Sequence, residues 1–190
     1  MTPQNAHKHE PIQWLPAERL GQLDIEGRMR PWLIGKGLLS VRMKDACGEK
    51  FSANLVDQWT GLLSADHKGC LKVGDSAALF RDEELSCAGH VWVFSQTVVP
   101  DSTLCVHPWL GELGDSPVGE ILGDLSAIER SSYEYAWLPI AHPLTARALR
   151  DTDLSPPGLW ARRTKVLLRG LPLLSQEAFL PAMGRIPTGA

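Results

Sequence analysis

The sequence predicts a single α+β domain: an antiparallel sheet of about six strands with short helices packed to one side. Two pairs of apolar, strand-length runs carry this expectation, 77–87 with 91–99 and 160–168 with 173–180. Each pair is joined by a short glycine-containing connection, Ala88-Gly89-His90 in the first and Arg169-Gly170-Leu171-Pro172 in the second, the pattern of a β-hairpin. The helical signals are brief and fall near the start, around Val118–Leu122 and after Leu144. A length of 190 residues suits one domain with a sizeable core.

Taken in order, residues 1–13 are polar and read as a mobile tail, so that residues 1–30 form a tail and lead-in and 31–190 the domain. Compact structure begins at Pro31-Trp32-Leu33-Ile34. A short helix follows and runs to Gly48, with Ser40 as its N-cap and Gly48 as its stop. Gly35-Lys36-Gly37 lacks the spacing of a phosphate loop. Residues 50–58 read as the first strand and 61–75 as a loop without periodicity. After the first hairpin, Pro117 and Gly119 fix a turn into a short helix. Residues 128–138 read as a further strand and Thr145–Arg150 as a helix. Pro181 then ends the last apolar run, because proline has no N–H for a sheet ladder.

Composition narrows the function classes. A net charge of −3 gives no basic field, so nucleic acid is not an expected partner. Nor does it steer an anionic substrate globally; an anion site must be built from local arginines. No run approaches the roughly 18 apolar residues of a membrane span, so stable membrane insertion is not expected. Cys47, Cys70, Cys87 and Cys105 are widely spaced, and residues 1–10 carry no signal-peptide pattern. They are expected to be reduced thiols of a cytoplasmic protein. None of the six histidines pairs at ligand spacing, and His7 and His9 lie in the polar tail, so neither a metal nor a cofactor is expected.

Glu177 is the oddity of the last hairpin. Strand alternation puts it on one face with Leu173, Ser175 and Phe179, and puts Leu174, Gln176, Ala178 and Leu180 on the other. A glutamate among such neighbours either faces water at an edge or is held inward for a purpose. Unpaired burial would cost it several kcal/mol or force a proton on it, roughly. Arg81 shares a face with Glu83, Leu85 and Cys87; its mundane role would be a surface pair with Asp82 or Glu84.

The pattern Trp160-Ala-Arg162-Arg163-Thr164, a link ending in Pro172-Leu173-Leu174, and Glu177-Ala-Phe179-Leu180-Pro181 resembles the C-terminal signature of bacterial chorismate lyases. Val91 to Leu104 is similar to the family's most recognisable middle segment, with Gln96 where many members have arginine. Gly114 to Leu122 resembles its Pro-Leu-Gly segment, with Val118 in place of leucine, and Trp32-Leu33 followed by Leu38-Leu39-Ser40 and a basic helix resembles its N-terminal motif. Arg130 and Glu134 match a charged pair of the family to which no role is assigned.

The resemblance implies an antiparallel α+β fold and elimination of pyruvate from chorismate, giving 4-hydroxybenzoate at the entry to ubiquinone synthesis, by a monomer. It implies that Arg81 grips the ring carboxylate with the backbones of Leu39 and Val118, since a guanidinium can meet both carboxylate oxygens. Glu177 would meet the ring hydroxyl and help move a proton. One of Arg162 and Arg163 would receive the enolpyruvyl carboxylate; being adjacent on a strand, they cannot both face the site. Arginine replaced by Gln96 would weaken the hold on an anionic part of the substrate. Other classes stay open: a non-catalytic binding domain for aromatic carboxylates with the same fold, or another chorismate-using enzyme.

Overall fold

The computed structural model describes residues 12–22, 25, 27–125 and 128–185; the expected tail thus lies almost wholly outside the described residues. Its frame is one antiparallel sheet in the order β1–β6–β7–β8–β4–β3–β2. The strands are β1 (Leu15–Pro16), β2 (Phe51–Leu62), β3 (Ala77–Cys87), β4 (His90–Pro100), β5 (Ile128–Arg130), β6 (Glu134–Pro139), β7 (Gly158–Leu168) and β8 (Leu171–Phe179), with β5 pairing β7 off the main path. The α+β class and the antiparallel sheet are as expected, but the described residues form eight strands. Two differences account for the count: the 128–138 run breaks into β5 and β6, and Leu15–Pro16 adds a short edge strand against β6.

Both expected hairpins form. Each turns through two residues with positive φ, Ala88 (51°) and Gly89 (79°), then Arg169 (49°) and Gly170 (82°). That geometry matches the right-handed twist of the flanking strands. Leu171 and Pro172 therefore belong to β8, where Pro172 faces Leu167. The two hairpins join through β4 and β8, so the last and middle parts of the chain build the centre of the sheet.

The helices are α1 (Arg30–Ile34), α2 (Leu39–Cys47), α3 (Ala65–Leu71), α4 (Asp101–Val106), α5 (Val118–Asp124) and α6 (Pro143–Leu149). They cover both faces of the sheet, where packing to one side was expected. Leu33 of α1, with Leu39 and Met43 of α2, packs over Leu85, Val93 and Phe179, and Val118 and Leu122 of α5 over Leu79, Val166 and Leu173. The opposite face carries Leu71 of α3 over Phe80, Val98 and Leu174, and Leu144 and Ala148 of α6 over Phe94 and Ala178. The physical reason is that both alternating sets of β4 and β8 are mostly apolar, and each must be covered.

Three further expectations are corrected. The segment read as a loop contains α3, whose start is held by a capping box: Ser64 accepts from the His67 N–H, and His67 Nδ1 from the Ser64 N–H. Helix α2 is capped at Leu38, placing Ser40 inside it; Gly48 does end it, at φ 56°. Cys47 and Cys87 form a disulfide where reduced thiols were expected. Cys47 ends α2 and Cys87 ends β3 opposite Phe51, which leaves their Cα atoms 5.8 Å apart, inside the range a disulfide spans. Cys70 and Cys105 are free.

Candidate active site

A cavity of about 40 Å³ lies between the sheet and the starts of α2 and α5. Its floor comes from alternate residues of three strands: Glu83 and Leu85 of β3, Ser95 and Thr97 of β4, Ser175 and Glu177 of β8. Register puts Glu83 opposite Ser95, Ser95 opposite Glu177 and Glu177 opposite Arg162 of β7, a single row across four strands. Leu39 and Val118 close the roof, and Arg130 and Tyr133 stand at one side. Leu38, Leu122, Arg130 and Tyr133 also border a second space of about 380 Å³.

At one end of the row Glu177 is held inward, its side chain 12% exposed. Its carboxylate accepts a hydrogen bond from Arg162 Nε, a charge-assisted contact. Arg162 is fully buried and is braced by the carbonyls of Leu33 (3.1 Å) and Gly35 (3.1 Å), which accept from Nη1. Its guanidinium lies 4.4 Å from the centre of the Tyr133 ring. Burial acts against the charge on Arg162, but the Glu177 carboxylate together with Tyr133 and Tyr135 outweighs it and raises the pKa. Burial, with the Glu177 charge adding to it, pushes the Tyr133 phenol up.

At the other end Arg81 is 1% exposed and sits behind the cavity wall. Its Nε donates to Glu83 Oε1 (2.9 Å), Nη1 to Gln58 Oε1 (3.1 Å), and Nη2 to the carbonyls of Gly114 (2.6 Å) and Ser116 (2.9 Å). A bulge in β2 after Leu55 brings Gln58 opposite Arg81. The Val118 N–H donates to the same Glu83 Oε1 at 3.1 Å. Burial pushes the Glu83 carboxyl up from its ordinary range, against the hydrogen bond and charge of Arg81.

Leu39, Val118 and Glu177 are thus brought to one cavity from three distant parts of the chain. Arg81 adjoins it through Glu83, not through Asp82 or Glu84, which alternation turns to the opposite face. Arg162 shares the face of Glu177. Arg163 points the other way, donating to Asp66 (2.7 Å) and Glu134 (2.8 Å). Gln96 also lies on that opposite face, donating to Asp82 Oδ1 at 2.9 Å, so its replacement of arginine does not alter a cavity contact. Sequence reasoning missed Glu83, and it left Arg130 without a role. The alternation of Arg81 and Glu83 was the available signal for the first. Among the described residues no group of three or more His, Cys, Asp or Glu is placed to hold a metal ion.

Comparison with solved structures defines the class of fold. The effector-binding domain of the Bacillus subtilis trehalose repressor superposes with a TM-score of 0.52 at 16% identity, covering 73% of this chain and 96% of that one. The C-terminal domain of the Pseudomonas syringae histidine utilization repressor gives 0.52 at 9% identity, covering 74% and 98%. At such identities the likeness concerns the fold alone.

Sequence relatives identify the family. The chorismate lyase family profile matches residues 9–186. A Nitrosospira multiformis protein named probable chorismate pyruvate-lyase is 32% identical over 173 residues, covering 90% of this chain and 93% of its own. The chorismate pyruvate-lyase of Salmonella arizonae is 29% identical over 160 residues, covering 83% and 86%. The chain belongs to the chorismate lyase family.

Proposed function

We infer that the protein is a chorismate lyase, eliminating pyruvate from chorismate to leave 4-hydroxybenzoate for ubiquinone biosynthesis. The observation that carries this reading is the gathering of Leu39, Val118 and Glu177 around one cavity in a chain of this family, with Arg81 directly behind Glu83. From Glu83 to Glu177 the row spans two strand spacings, roughly 10 Å. A para-substituted benzoate would lie along it, with its carboxylate toward Arg81 and the Val118 N–H, and its hydroxyl toward Glu177. The backbone of Leu39 at the start of α2 offers helix-terminal N–H groups on the same side.

In the reaction the ring loses the hydrogen of its hydroxyl-bearing carbon and the neighbouring ether C–O bond breaks. The enolpyruvyl fragment leaves with that electron pair and takes up a proton to become pyruvate. Because the ring becomes aromatic, the site has mainly to orient the substrate and place charge. Glu177, fixed by Arg162, would accept from the ring hydroxyl and help carry the proton. Arg130, beside Tyr133 at the cavity wall, is the cation we assign to the enolpyruvyl carboxylate. Arg162 already serves Glu177, and Arg163 faces away.

We place this activity in the cytoplasm and in a monomer, with neither nucleic acid nor a membrane as partner. Among the described residues no helix is long and apolar enough to cross a membrane. The test is incubation with chorismate and separation of the products. Stoichiometric 4-hydroxybenzoate and pyruvate are expected. Unchanged chorismate would favour a binding domain, and another product a different chorismate enzyme.

A further inference from the structure

Glu83 is a carboxylate lodged where a carboxylate ligand is expected. Its Oε1 accepts from both Arg81 Nε (2.9 Å) and the Val118 N–H (3.1 Å), the two groups assigned above to the ring carboxylate. The rest of Arg81 is also engaged: Nη1 donates to Gln58, and Nη2 to Gly114 and Ser116. A guanidinium has five N–H groups and four are used in these bonds, so no paired edge is open to a second carboxylate. Glu83 lines the cavity and Arg81 does not.

We propose that Glu83 is a built-in competitor for the ring-carboxylate site, lowering its affinity for aromatic acids and shortening the stay of a carboxylate product. The inference rests on reading Arg81 as the anchor of that carboxylate. To seat an aromatic acid, Glu83 must either yield Arg81 or take a proton and donate to the newcomer. It is 4% exposed, with Leu39, Leu85 and Leu122 on the same cavity, so an ionised Glu83 that yields Arg81 is left poorly solvated. Either route draws on binding free energy. An amide in its place would leave the charge of Arg81 without a counter-charge, and an incoming carboxylate would then supply it.

The test compares wild type, Glu83→Gln and Glu83→Asp for binding of 4-hydroxybenzoate and of phenol by calorimetry, with melting curves alongside. Glu83→Gln should bind 4-hydroxybenzoate about tenfold tighter or more, as expected when a charged competitor is removed, and bind phenol as the wild type does. Its melting temperature should be lower, and 4-hydroxybenzoate should raise it by more than it raises the wild type's. Glu83→Asp, one methylene shorter, should give a smaller gain of the same sign, and it carries the test if Glu83→Gln does not fold. Adding Arg81→Met to Glu83→Gln should abolish the gain.

Equal or weaker binding of 4-hydroxybenzoate by the folded variants, with chorismate turnover intact, would overturn the inference and leave the lyase reading standing. Tighter binding in a protein that does not convert chorismate would do the reverse.

Discussion

Two rows of side chains cross the same four strands one residue apart, and one of them lines the cavity between the sheet and the starts of α2 and α5. On one face the row is Glu83, Ser95, Glu177 and Arg162; on the other it is Asp82, Gln96, Gln176 and Arg163. Both begin with an acid and end with an arginine. They differ in the middle. Gln96 bridges Asp82 (2.9 Å) and Gln176 (3.3 Å), while Arg147 of α6 closes onto Asp82, so this polar chain is filled and paired. Ser95 is too short to bridge Glu83 and Glu177, and the space it leaves is the cavity floor. The sheet thus has one row as a polar brace and the other as the floor of a cavity, and side-chain length at one position separates them.

The largest effect on the braced row should come from Arg147→Ala. It leaves Asp82, fully buried, without its cation, a loss of about 3 kcal/mol for a broken buried pair. Denaturant unfolding should register it, while chorismate turnover per folded molecule stays at the wild-type level; a proportionate loss of turnover would mean that the rows are not independent.

Ser95→Leu tests the other row. Filling the floor should weaken 4-hydroxybenzoate by about 1–3 kcal/mol, roughly fivefold to 150-fold, by titration. Gln96→Leu, its neighbour on the opposite face, should leave that affinity unchanged. Equal effects from the two substitutions would break the comparison.

The smallest effect concerns pH and the braced face. Burial lowers the pKa of His67 below its ordinary 6.5, with Arg163 and His142 also acting downward against the charge of Asp66. Its Nδ1 accepts the Ser64 N–H, a role only the neutral ring can fill. A depressed histidine pKa means that the unfolded chain binds more protons below 6.5. Stability should therefore fall as pH drops from about 6.5 through the folded pKa. Melting temperatures between pH 7.5 and 5 should decline less steeply for His67→Gln than for wild type; the same slope in both would remove His67 from the account.

The same two rows mark what the sequence made legible. The last hairpin was readable because its alternation is regular and its turn short, and alternation alone set Glu177 on the face opposite Gln176. That Glu177 is held inward was not readable, since it depends on β4 pairing with β8 and on α1 delivering the carbonyls that brace Arg162. Arg81 amid Asp82-Glu83-Glu84 looked like a surface charge run. Only the burial of β3 between β2 and β4 turns Glu83 into its partner and sends Asp82 to the other side. Helix α3 escaped because its capping box uses His67, not the usual glutamate or glutamine. The disulfide joins residues 40 apart whose meeting depends on the pairing of β2 with β3.

In the proposed reaction the Ser95 row carries the chemistry through Glu177. Glu177→Gln keeps the shape and a hydrogen-bonding oxygen but cannot exchange a proton. The decisive measurement is its turnover of chorismate, per folded molecule, set beside its affinity for 4-hydroxybenzoate. The account predicts a fall in turnover of about 100-fold or more, the scale of general acid–base catalysis, with a far smaller change in affinity. Normal turnover together with normal affinity would contradict it.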